Sequence, residues 1–309
     1  MSNQAVKISV VIVNWNRKED TLQCLSALAK SQLEGANGQI IVIDNASTDG
    51  SIEAIKGFHI KNFELRLIRN STNLGFAKGN NIGMRAGMVW GADFILLINN
   101  DLSVSPELIK DMIGEAQEKS SSGAISPKIY FEKGFEFHKD RYKKTQLGKV
   151  IWYAGGDIDW DNVLGSNHGV DEVDEGQYEK TVETDFATGA CMLLRREALN
   201  QVGIFDERYF MYLEDGDLCV RLKKKGWAVS YTPHAQAWHK VAQSSGIGSE
   251  LNDYYITRNR LYFGFKYAPV RAKIALLREA ARFLFSGRVW QKRAVRDFFF
   301  LRMGKGSFK

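Results

Sequence analysis

The chain has 309 residues and 44 % of them are hydrophobic, which is enough for a buried core in one large domain or two modest ones. Three widely separated cysteines exclude a disulfide framework and favour a reducing compartment. The first seven residues are polar and no stretch of about twenty apolar residues occurs, so we expect a cytoplasmic protein without a signal peptide or a membrane-crossing segment.

The positive charge of the chain is concentrated towards its C-terminal end. The whole chain carries +6, whereas residues 271–309 contain eleven Lys or Arg and two acids, a local net of +9, so the other 270 residues carry −3. A protein that binds nucleic acid along its length would more often spread a basic face over its folded domain. The asymmetry therefore argues against nucleic acid and predicts a basic tail with a partner of its own.

The first hundred residues alternate between strand and helix patterns. Short apolar runs predict the strands, and Leu or Ala at helical spacing predicts the helices between them. In chain order the predicted elements are a strand at 8–13, a helix at 20–30, a strand at 40–43, a short helix through Ile52 and Ile55, a strand at 65–68, a helix at 77–90 and a strand at 94–98. This alternation implies right-handed crossovers and a mostly parallel sheet covered by helices.

Beyond residue 101 the regular alternation ends. The later predicted elements are helices at 106–119, 195–201 and 215–225, a strand at 228–231, and irregular structure at 123–185 with short aromatic strand-like pieces and many glycines. Because no internal repeat or linker divides the chain, residues 1–265 are predicted to form one unit. Residues from about 270 onward are predicted to form a separate helical appendage.

Polar side chains follow each of the four early strands, at the edge where ligands bind in an open parallel sheet. These groups are Asn14 to Asn16, Asp44 and Asn45, Asn70 to Gly75, and Asn99 to Asp101. Asn and Asp also cap helices and turns, which is an alternative reason for their presence. That alternative is weakest for Asp101, since the run FILLI leads directly into NND and places a carboxylate at the mouth of a buried sheet.

Seven motifs in a fixed order give the chain a resemblance to a known family. They are VIVNWNR, VIDNASTDGS, NLGFAKGNNIG, LLINND, TGACMLLRREAL, FMYLEDGDLCVRLKKKGW and AWH. Over roughly residues 7–265 the chain resembles family 2 glycosyltransferases, and most closely the bacterial rhamnosyltransferase-type enzymes of cell-envelope polysaccharide synthesis.

The resemblance implies an α/β fold of the GT-A type. In this fold a mostly parallel Rossmann-like sheet is flanked by helices, with a smaller acceptor-side region and here a C-terminal helical tail. The implied division is a glycosyltransferase domain at 1–265, made of a nucleotide-sugar-binding part at 1–101 and an acceptor and catalytic part at 102–265, followed by a basic amphipathic tail at 266–309.

The resemblance also assigns a donor site to the strand ends. Trp15 takes the place of an aromatic ring that lies against the nucleobase, and Asp44 that of an acid that binds the base or ribose. A glycine before a helix permits close approach of a phosphate, and a lysine can offset its charge. As alternatives, Trp15 packs beside the sheet and Lys78 is a solvated surface residue. The implied donor-binding residues are Val13, Trp15, Asp44, Asn73, Gly75, Lys78, Asn80, Asn100 and Asp101.

The segment Asn99-Asn100-Asp101 takes the position of the family's DXD motif, which implies a divalent metal ion. Only Asp101 supplies a carboxylate here, because Asn99 replaces the first acid. Mg²⁺ and Mn²⁺ prefer oxygen ligands and commonly bridge substrate phosphates, and imidazole suits Mn²⁺ better than Mg²⁺. His239 matches the histidine that completes the metal shell in relatives, and His234, five residues earlier, is the alternative.

The resemblance places the catalytic base at the start of the helix predicted at 215–225. Asp215 matches the general base, which takes a proton from the acceptor hydroxyl as that hydroxyl attacks the anomeric carbon, so that the anomeric centre is inverted. Glu214 and the segment Thr188-Gly189-Ala190 match the acceptor side. The aromatic run at 209–212 is expected to wall a sugar pocket.

Two other residues near these motifs have a structural explanation. Asp217 is explained equally well as an acid at a helix N-terminus, where the helix dipole favours negative charge. Cys191 lies in an apolar run without neighbours that would lower its pKa, so we predict a core residue rather than a nucleophile.

The tail has the pattern of a basic amphipathic helix rich in aromatic residues. Apolar residues at helical spacing alternate with arginines and lysines, which is typical of a helix that lies on an anionic membrane surface. The alternative is a helix that docks on the body or on another subunit, which leaves a homo-oligomer open. If the acceptor is lipid-linked, membrane binding by the tail would place the enzyme peripherally on the inner face of the cell membrane.

By resemblance, the expected donor is dTDP-rhamnose or a UDP-sugar, and the expected acceptor is a hydroxyl of a glycan or a lipid-linked glycan. Two alternatives remain. A nucleotidyltransferase would normally carry a glycine-rich loop after the first strand, where this chain has NWNRKED. A non-catalytic partner subunit that binds sugar nucleotides is kept open by Asn99. The missing glycines also argue against a dinucleotide oxidoreductase.

Overall fold

The computed structural model describes residues 5–241 and 249–309. The strands are β1 (Lys7–Asn14), β2 (Asn37–Asp44), β3 (Glu64–Arg69), β4 (Phe94–Asn99), β5 (Leu102–Val104), β6 (Ser122–Phe131), β7 (Ile151–Tyr153), β8 (Gly156–Asp159), β9 (Leu164–Asn167), β10 (Val182–Glu183), β11 (Cys191–Arg195) and β12 (Ala228–His239). The α-helices are α1 (Lys18–Leu28), α2 (Ser51–Lys56), α3 (Gly75–Trp90), α4 (Leu108–Glu118), α5 (Arg196–Val202), α6 (Glu214–Lys224), α7 (Glu250–Tyr267), α8 (Val270–Ser286) and α9 (Val289–Phe299). A short 3₁₀ helix lies at Lys139–Arg141.

Ten of these strands form one sheet in the order β10-β12-β6-β11-β4-β1-β2-β3, with β5 beside β12 and β7 beside β6. The strands β3, β2, β1 and β4 run parallel to one another, and they are the four predicted from the first hundred residues. β11 runs antiparallel to both of its neighbours, β4 and β6, whereas β6 and β12 run parallel to each other. The predicted α/β architecture is confirmed, but the sheet is mixed rather than mostly parallel.

Helices cover both faces of the sheet because its central strands carry apolar side chains in both directions. Val10 and Ile12 of β1 join a core cluster with α1, α2 and α4, and Val11 joins a second cluster with α3, α5 and α6. Helix α3 approaches β1 closely at Gly83, where a Cβ would lie 2.2 Å from Val11 Cγ1. The packed faces leave the carboxyl ends of the parallel strands as the edge that can bind a ligand.

Residues 123–185 contain more regular structure than predicted. β6 is a ten-residue central strand, and every one of its residues is buried. A strand that is covered on both faces shows no alternation, and Pro127 and Lys128 interrupt its apolar run. Lys128 is fully buried and its Nζ donates to Asp174 at 2.9 Å and to the exposed Glu179, so these ion pairs connect the later segment to this strand. The prediction of irregular structure is therefore wrong for β6.

Residues after 265 pack against the body instead of standing apart from it. Ala272, Leu276 and Ala280 of α8 share a hydrophobic cluster with Val163 and Phe263. The helical character predicted for the tail is confirmed. Its description as a separate appendage is wrong, because one face of α8 is apolar and docks on α7. Within the described residues, no helix combines the length and the apolar character that crossing a membrane requires.

Candidate functional site

The ends of β1, β2 and β4 bring the predicted polar groups together. In the sheet register Asn14 pairs with Asp44, and Val13 lies between Ile43 on one side and Asn99 on the other. Groups that follow three separate strands in the sequence therefore line one continuous edge of the sheet.

A hydrogen-bonded network of side chains fixes the shape of this edge. Asn14 Nδ2 donates to Asp44 Oδ2 at 2.8 Å and to Ser47 Oγ at 3.0 Å. Thr21 Oγ1 donates to Asn14 Oδ1 at 2.8 Å, and Asn100 Nδ2 donates to Thr21 Oγ1 at 3.0 Å. The sequence reasoning assigned no role to Thr21 or Ser47. The one available signal for Thr21 was a polar residue on the buried face of α1.

Asp44 and Trp15 lie next to each other in this edge but differ in exposure. Asp44 is fully buried, and its two oxygens accept from Asn14 Nδ2 and from the Ser47 backbone N–H at 2.9 Å. The carboxylate therefore shapes the loop after β2, and its contact with a base or ribose stays a prediction. Trp15 is 52 % exposed, which leaves a large part of its ring surface open to a nucleobase.

The loop after β3 is ordered by asparagine side chains and ends at Gly75. Asn45 Nδ2 donates to the Gly75 carbonyl at 3.1 Å, and the Gly75 N–H donates to Asn73 Oδ1 at 2.9 Å. Gly75 has a φ of +80°, and a Cβ there would lie 2.5 Å from the Phe210 ring, so both conformation and space require glycine. The loop thus joins the predicted donor side to the segment that precedes the predicted base.

The remaining predicted donor residues lie on or beside the first turns of α3. Val13 packs against α3 at Gly79, where a Cβ would lie 3.1 Å from its Cγ1. Asn80 is buried and donates to the backbone carbonyl one turn earlier at 3.0 Å. Lys78 is exposed and its Nζ lies 3.9 Å from a Glu207 carboxylate oxygen, so that its charge already has a partner. Contacts of these residues with a donor stay predictions.

Asp101 and His239 lie side by side although 138 residues separate them. β5 runs antiparallel to the end of β12, with His239 opposite Leu102, and His239 Nε2 lies 3.1 Å from Asp101 Oδ1. The Trp152 ring packs edge to face on the imidazole, with centroids 4.6 Å apart. Burial acts to raise the pKa of Asp101, but the charge and hydrogen bond of His239 outweigh it, and the pKa is lowered. His234 is exposed in an irregular part of β12, so the pair is formed by His239.

This pair fits two adjacent positions of an octahedral metal shell. Adjacent ligands at about 2.1 Å from the ion are about 3 Å apart, close to the 3.1 Å between His239 Nε2 and Asp101 Oδ1. Among residues 5–241 and 249–309, no group of three or more His, Cys, Asp or Glu side chains could hold a metal ion. Two protein ligands suit an ion that also binds substrate phosphates. His239 Nδ1 is buried and has no hydrogen-bond partner among the residues that the structure describes, whereas metal-bound histidines usually donate from their second nitrogen.

Asp215 is a part-exposed carboxylate that two backbone N–H groups hold in place. The Gly189 N–H donates to its Oδ2 at 2.9 Å, and the Gly216 N–H donates to its Oδ1 at 2.8 Å. A Cβ on Gly189 would lie 3.3 Å from Oδ2, so glycine permits this close approach. Burial raises the pKa of Asp215, and the backbone hydrogen bonds only partly oppose the rise. The result is a fixed carboxylate with a higher proton affinity than an ordinary aspartate.

The predicted acceptor-side residues around Asp215 are more deeply buried. Glu214 is 4 % exposed, and its Oε2 has no hydrogen-bond partner within the described residues. Burial is the main cause that raises the pKa of Glu214 well above its usual value, and the charge of the neighbouring Asp215 adds to the rise. The Ala190 N–H donates to Thr188 Oγ1 at 3.3 Å, and the Ala190 carbonyl accepts from the Asn99 N–H at 2.8 Å. The segment 188–190 therefore connects the loop around Asp215 to the end of β4.

Two nearby residues have structural roles, as the sequence suggested. Asp217 is fully buried and accepts from Arg221 Nε at 2.8 Å, from the Tyr267 hydroxyl at 2.8 Å and from Lys266 Nζ. Cys191 is buried in the core, and burial raises the pKa of its thiol, which confirms a core residue.

The residues immediately before Glu214, which we call the 209–213 loop, have an unusual backbone. Phe210, Tyr212 and Leu213 have φ values of +66°, +69° and +71°, in the region that non-glycine residues rarely adopt. Tyr209 and Phe210 are buried, so the predicted wall of a sugar pocket is reduced to the part-exposed Met211 and Tyr212. Such a conformation persists only when its surroundings hold it.

Two adjacent residues of α7 hold the 209–213 loop, and sequence reasoning missed both. Asn259 Nδ2 donates to the carbonyls of Tyr209, Met211 and Tyr212 at 2.9, 2.7 and 3.0 Å. Arg258 Nη2 donates to the Tyr209 carbonyl at 2.9 Å, and both side chains are fully buried. Their acceptors are backbone carbonyls about fifty residues earlier, so the only sequence signal was an Arg-Asn pair on the buried face of a helix.

The model of "Glycosyl transferase family 2" matches residues 9–203, which is more than half of the chain. The chain belongs to glycosyl transferase family 2. This confirms the predicted family and the assignment as an enzyme, a glycosyltransferase, and it favours glycosyl transfer over the nucleotidyltransferase and non-catalytic alternatives.

Relatives of this glycosyltransferase include two named rhamnosyl transferases. The N-acetylglucosaminyl-diphospho-decaprenol L-rhamnosyltransferase of Mycobacterium tuberculosis is 29 % identical over 247 residues, which cover 75 % of this chain and 78 % of that protein. The dTDP-rhamnosyl transferase RfbF of Shigella flexneri is 24 % identical over 260 residues, which cover 82 % of this chain and 78 % of that protein.

Solved structures with the same architecture are glycosyltransferases of the GT-A fold, which confirms the fold prediction. The crystal structure of GalNAc-T7 with UDP, GalNAc and Mn²⁺ matches with a TM-score of 0.66 at 14 % identity, over 96 % of this chain and 54 % of that one. This glycosyltransferase thus spans about half the length of that structure. Staphylococcus aureus TarS 1–349 in complex with UDP-GlcNAc matches with a TM-score of 0.58 at 14 % identity, over 95 % of this chain and 79 % of that one.

Proposed function

We propose that this glycosyltransferase transfers a sugar from a nucleoside diphosphate to an acceptor hydroxyl with inversion, and that Asp215 is the general base. The observation that carries the proposal is the part-exposed Asp215 carboxylate, fixed by the N–H groups of Gly189 and Gly216 and raised in pKa by burial. A base that is held in one orientation and has a raised pKa suits proton abstraction near neutral pH.

The proposed step needs one proton acceptor and one leaving group. The acceptor oxygen forms a bond to the anomeric carbon while the bond from that carbon to the diphosphate oxygen breaks. Asp215 takes the hydroxyl proton as this happens, and the nucleoside diphosphate leaves with the bonding electron pair. Attack from the face opposite the leaving group inverts the anomeric centre. Glu214 and the segment 188–190, which border Asp215, are the proposed acceptor contacts.

On the donor side, we assign Trp15 to the nucleobase and the first turns of α3 to the diphosphate. Trp15 exposes half of its surface at the end of β1, and the positive end of the α3 helix dipole favours a phosphate. Val13, Asp44, Asn73, Lys78, Asn80 and Asn100 complete the proposed donor site. Asp101 and His239 would hold Mn²⁺ or Mg²⁺, and a bound ion would stabilise the charge that grows on the departing diphosphate.

A first prediction concerns this metal pair. His239→Ala and Asp101→Asn are each expected to weaken Mn²⁺ binding in the presence of nucleoside diphosphate by at least about tenfold, because each removes one of two protein ligands. Titration calorimetry measures the affinity. His234→Ala, an exposed histidine on the same strand, is the matched control and should bind like the wild type. Equal affinities for the His239→Ala and His234→Ala variants would contradict the assignment.

A second prediction concerns pH. A base must be ionised to act, so kcat should fall as the pH drops through the raised pKa of Asp215. The acid limb of the kcat profile is therefore expected above about pH 4, where an ordinary aspartate titrates. As a control for irreversible unfolding, the enzyme is incubated at each pH and its activity is then measured at neutral pH. Full turnover down to about pH 4 would argue against a raised pKa at the base.

For the donor we propose dTDP-rhamnose, with a UDP-sugar as the alternative, and for the acceptor a glycan or a lipid-linked glycan of the cell envelope. The support comes from two relatives, a dTDP-rhamnosyl transferase and an N-acetylglucosaminyl-diphospho-decaprenol L-rhamnosyltransferase. A lipid-linked acceptor would place the enzyme peripherally at the inner face of the cell membrane, through residues 270–309.

A screen of nucleotide sugars with Mn²⁺ tests the donor proposal. A ligand that binds only the folded state raises the midpoint of thermal unfolding, so dTDP-rhamnose should give a larger shift than UDP-glucose, UDP-GlcNAc or GDP-mannose at equal concentration. Slow donor hydrolysis with the same ranking would support transfer chemistry. A larger shift with a UDP-sugar would select the alternative, and no shift with any donor would contradict the donor site itself.

A further inference from the structure

Helix α8 carries two apolar stripes on different faces. The buried stripe consists of Ala272, Leu276 and Ala280, which pack against the body. The exposed stripe, which we call the α8 stripe, consists of Val270, Ile274, Leu277, Ala281, Leu284 and Phe285. At 3.6 residues per turn the α8 stripe falls within an arc of about 100°, roughly 140° away from the centre of the buried one. The helix therefore has an apolar face left over after docking.

The α8 stripe is exposed to an extent that a solvated helix rarely shows. Phe285 is 85 % exposed and Val270 is 71 % exposed, at opposite ends of the helix, and Val289 beyond the end is 64 % exposed. Single exposed apolar residues are ordinary, but a contiguous row marks an interaction surface.

A second exposed apolar group lies at the end of α9. Phe299, Phe300 and Leu301, at and just after that end, are all more than half exposed. Phe298 beside them contacts Phe265 in the last turns of α7, with ring centroids 5.3 Å apart. The end of α9 therefore packs on α7, the helix on which α8 docks.

Basic side chains border the α8 stripe, while the acids of the segment face elsewhere. Arg271, Arg278 and Arg282 lie at about 80–120° from Val270 around the helix, along one side of the α8 stripe. Glu279 accepts from Arg260 Nη1 at 2.6 Å on the side towards α7, and its other oxygen lies 3.8 Å from Arg282 Nη2. Arg271 and Arg278 thus carry the margin together with a partly neutralised Arg282. Asp297, the other acid of residues 271–309, is 3 % exposed. The surface is therefore apolar in its middle and positive at its margin.

We propose that the α8 stripe docks on an anionic phospholipid bilayer, with α8 lying in the plane of the membrane surface. Apolar side chains would enter the boundary of the acyl chains, and the arginines would extend to the phosphate groups, as long basic side chains do at interfaces. The local charge of +9 on residues 271–309 matches an anionic surface.

A second copy of the chain fits this surface less well. A two-fold interface sets the same patch against itself, which would bring two segments of +9 together. The centres of protein interfaces are also depleted in charged residues. Lipid phosphates supply the opposite charge that a second copy lacks.

The test uses the full chain with point substitutions. Removing residues after 268 would also remove the Gly304 carbonyl, which accepts from the buried Arg258 Nη1 at 2.7 Å, and would disturb the 209–213 loop. The stripe variant is Ile274→Gln/Phe285→Gln, both at exposed positions. The control is Val89→Gln, an 89 % exposed apolar residue on α3.

Flotation with phosphatidylcholine vesicles, with or without phosphatidylglycerol, measures binding. The wild type and Val89→Gln should float with the anionic vesicles and much less with neutral ones. The stripe variant should bind on the order of tenfold more weakly or worse, since a buried Ile or Phe side chain contributes about that factor or more. Added salt should weaken binding by the wild type.

Two outcomes would overturn the proposal. One is equal flotation of the wild type and the stripe variant, or none by either. The other is a wild-type dimer that the stripe substitutions convert to a monomer without any vesicle binding, which would assign the stripe to a second copy. The proposal does not rest on the sugar chemistry, so a failure of the donor screen leaves the flotation result unchanged, and the reverse also holds.

Discussion

Replacing Asp215 with asparagine is expected to lower turnover by about 10²–10⁴-fold, because an amide cannot take the proton of the acceptor hydroxyl. The side chain keeps its size, and its oxygen can still accept one of the two backbone N–H groups, from Gly189 or Gly216. Donor affinity should therefore stay within a few-fold of the wild type. Initial-rate kinetics with saturating donor and acceptor measure kcat, and a binding titration measures donor affinity.

Asp159→Asn is the matched control for this substitution, because Asp159 is an exposed aspartate on β8 whose side chain accepts local hydrogen bonds from residues 161 and 162. Its turnover should equal that of the wild type. If Asp215→Asn retained turnover within about fivefold, Asp215 would not be the base. If it lost donor binding and turnover together, the residue would be structural, and the base would have to be sought among its neighbours.

Replacing Asn259 with alanine is expected to lower the free energy of unfolding by about 2–4 kcal/mol. The substitution leaves the carbonyls of Met211 and Tyr212 without the Asn259 donor, and each unsatisfied buried polar group costs about 1–3 kcal/mol. The Tyr209 carbonyl also loses its bond from Asn259 but keeps the one from Arg258. The loss also releases a loop with three positive φ values directly before Glu214, so kcat should fall as well. Urea unfolding followed by circular dichroism measures the first effect.

Asn252→Ala serves as the control, since Asn252 is a part-exposed residue in the first turn of the same helix. That substitution should change the free energy of unfolding by about 0.5 kcal/mol or less. Equal unfolding midpoints for the two variants would show that the 209–213 loop keeps its conformation without Asn259. A stable Asn259→Ala variant with reduced kcat would separate the positioning of the loop from the stability of the fold.

The parts of this fold that were predictable depend on local patterns. The parallel strands β1, β2 and β4 contain short apolar runs and end in Asn or Asp, and β3 is followed directly by Asn70, so these features are visible within ten residues of sequence. For this reason Asp101 could be placed at a strand end without a structure. Asp215 was accessible too, because it begins a helix with clear spacing and lies in a motif that the family resemblance covers.

The parts that were missed depend on contacts between distant segments. β6 is buried on both faces, so it shows no alternation, and a fully buried Lys128 is acceptable only because Asp174 and Glu179 lie beside it. The roles of Arg258 and Asn259 are set by backbone carbonyls of the 209–213 loop, and a carbonyl leaves no trace in the identity of its residue. The docking of α8 likewise depended on a complementary face, which no pattern in the tail itself could reveal.

The irregular stretch of β12 has a consequence for how this chain tolerates insertions and deletions. Thr232 pairs with Pro127, and Gln236 pairs with the next residue of β6, so three extra residues are accommodated between two regular halves of the strand. Side chains alternate between the two faces of a strand only where the pairing is regular. The three residues lie outside that pairing, so we expect that removing one of them shortens the irregular stretch and leaves Trp238 and His239 in register with β6. The pairing of the second half of β12 with β6 and β5, and not the length of this stretch, thus decides whether an imidazole reaches Asp101.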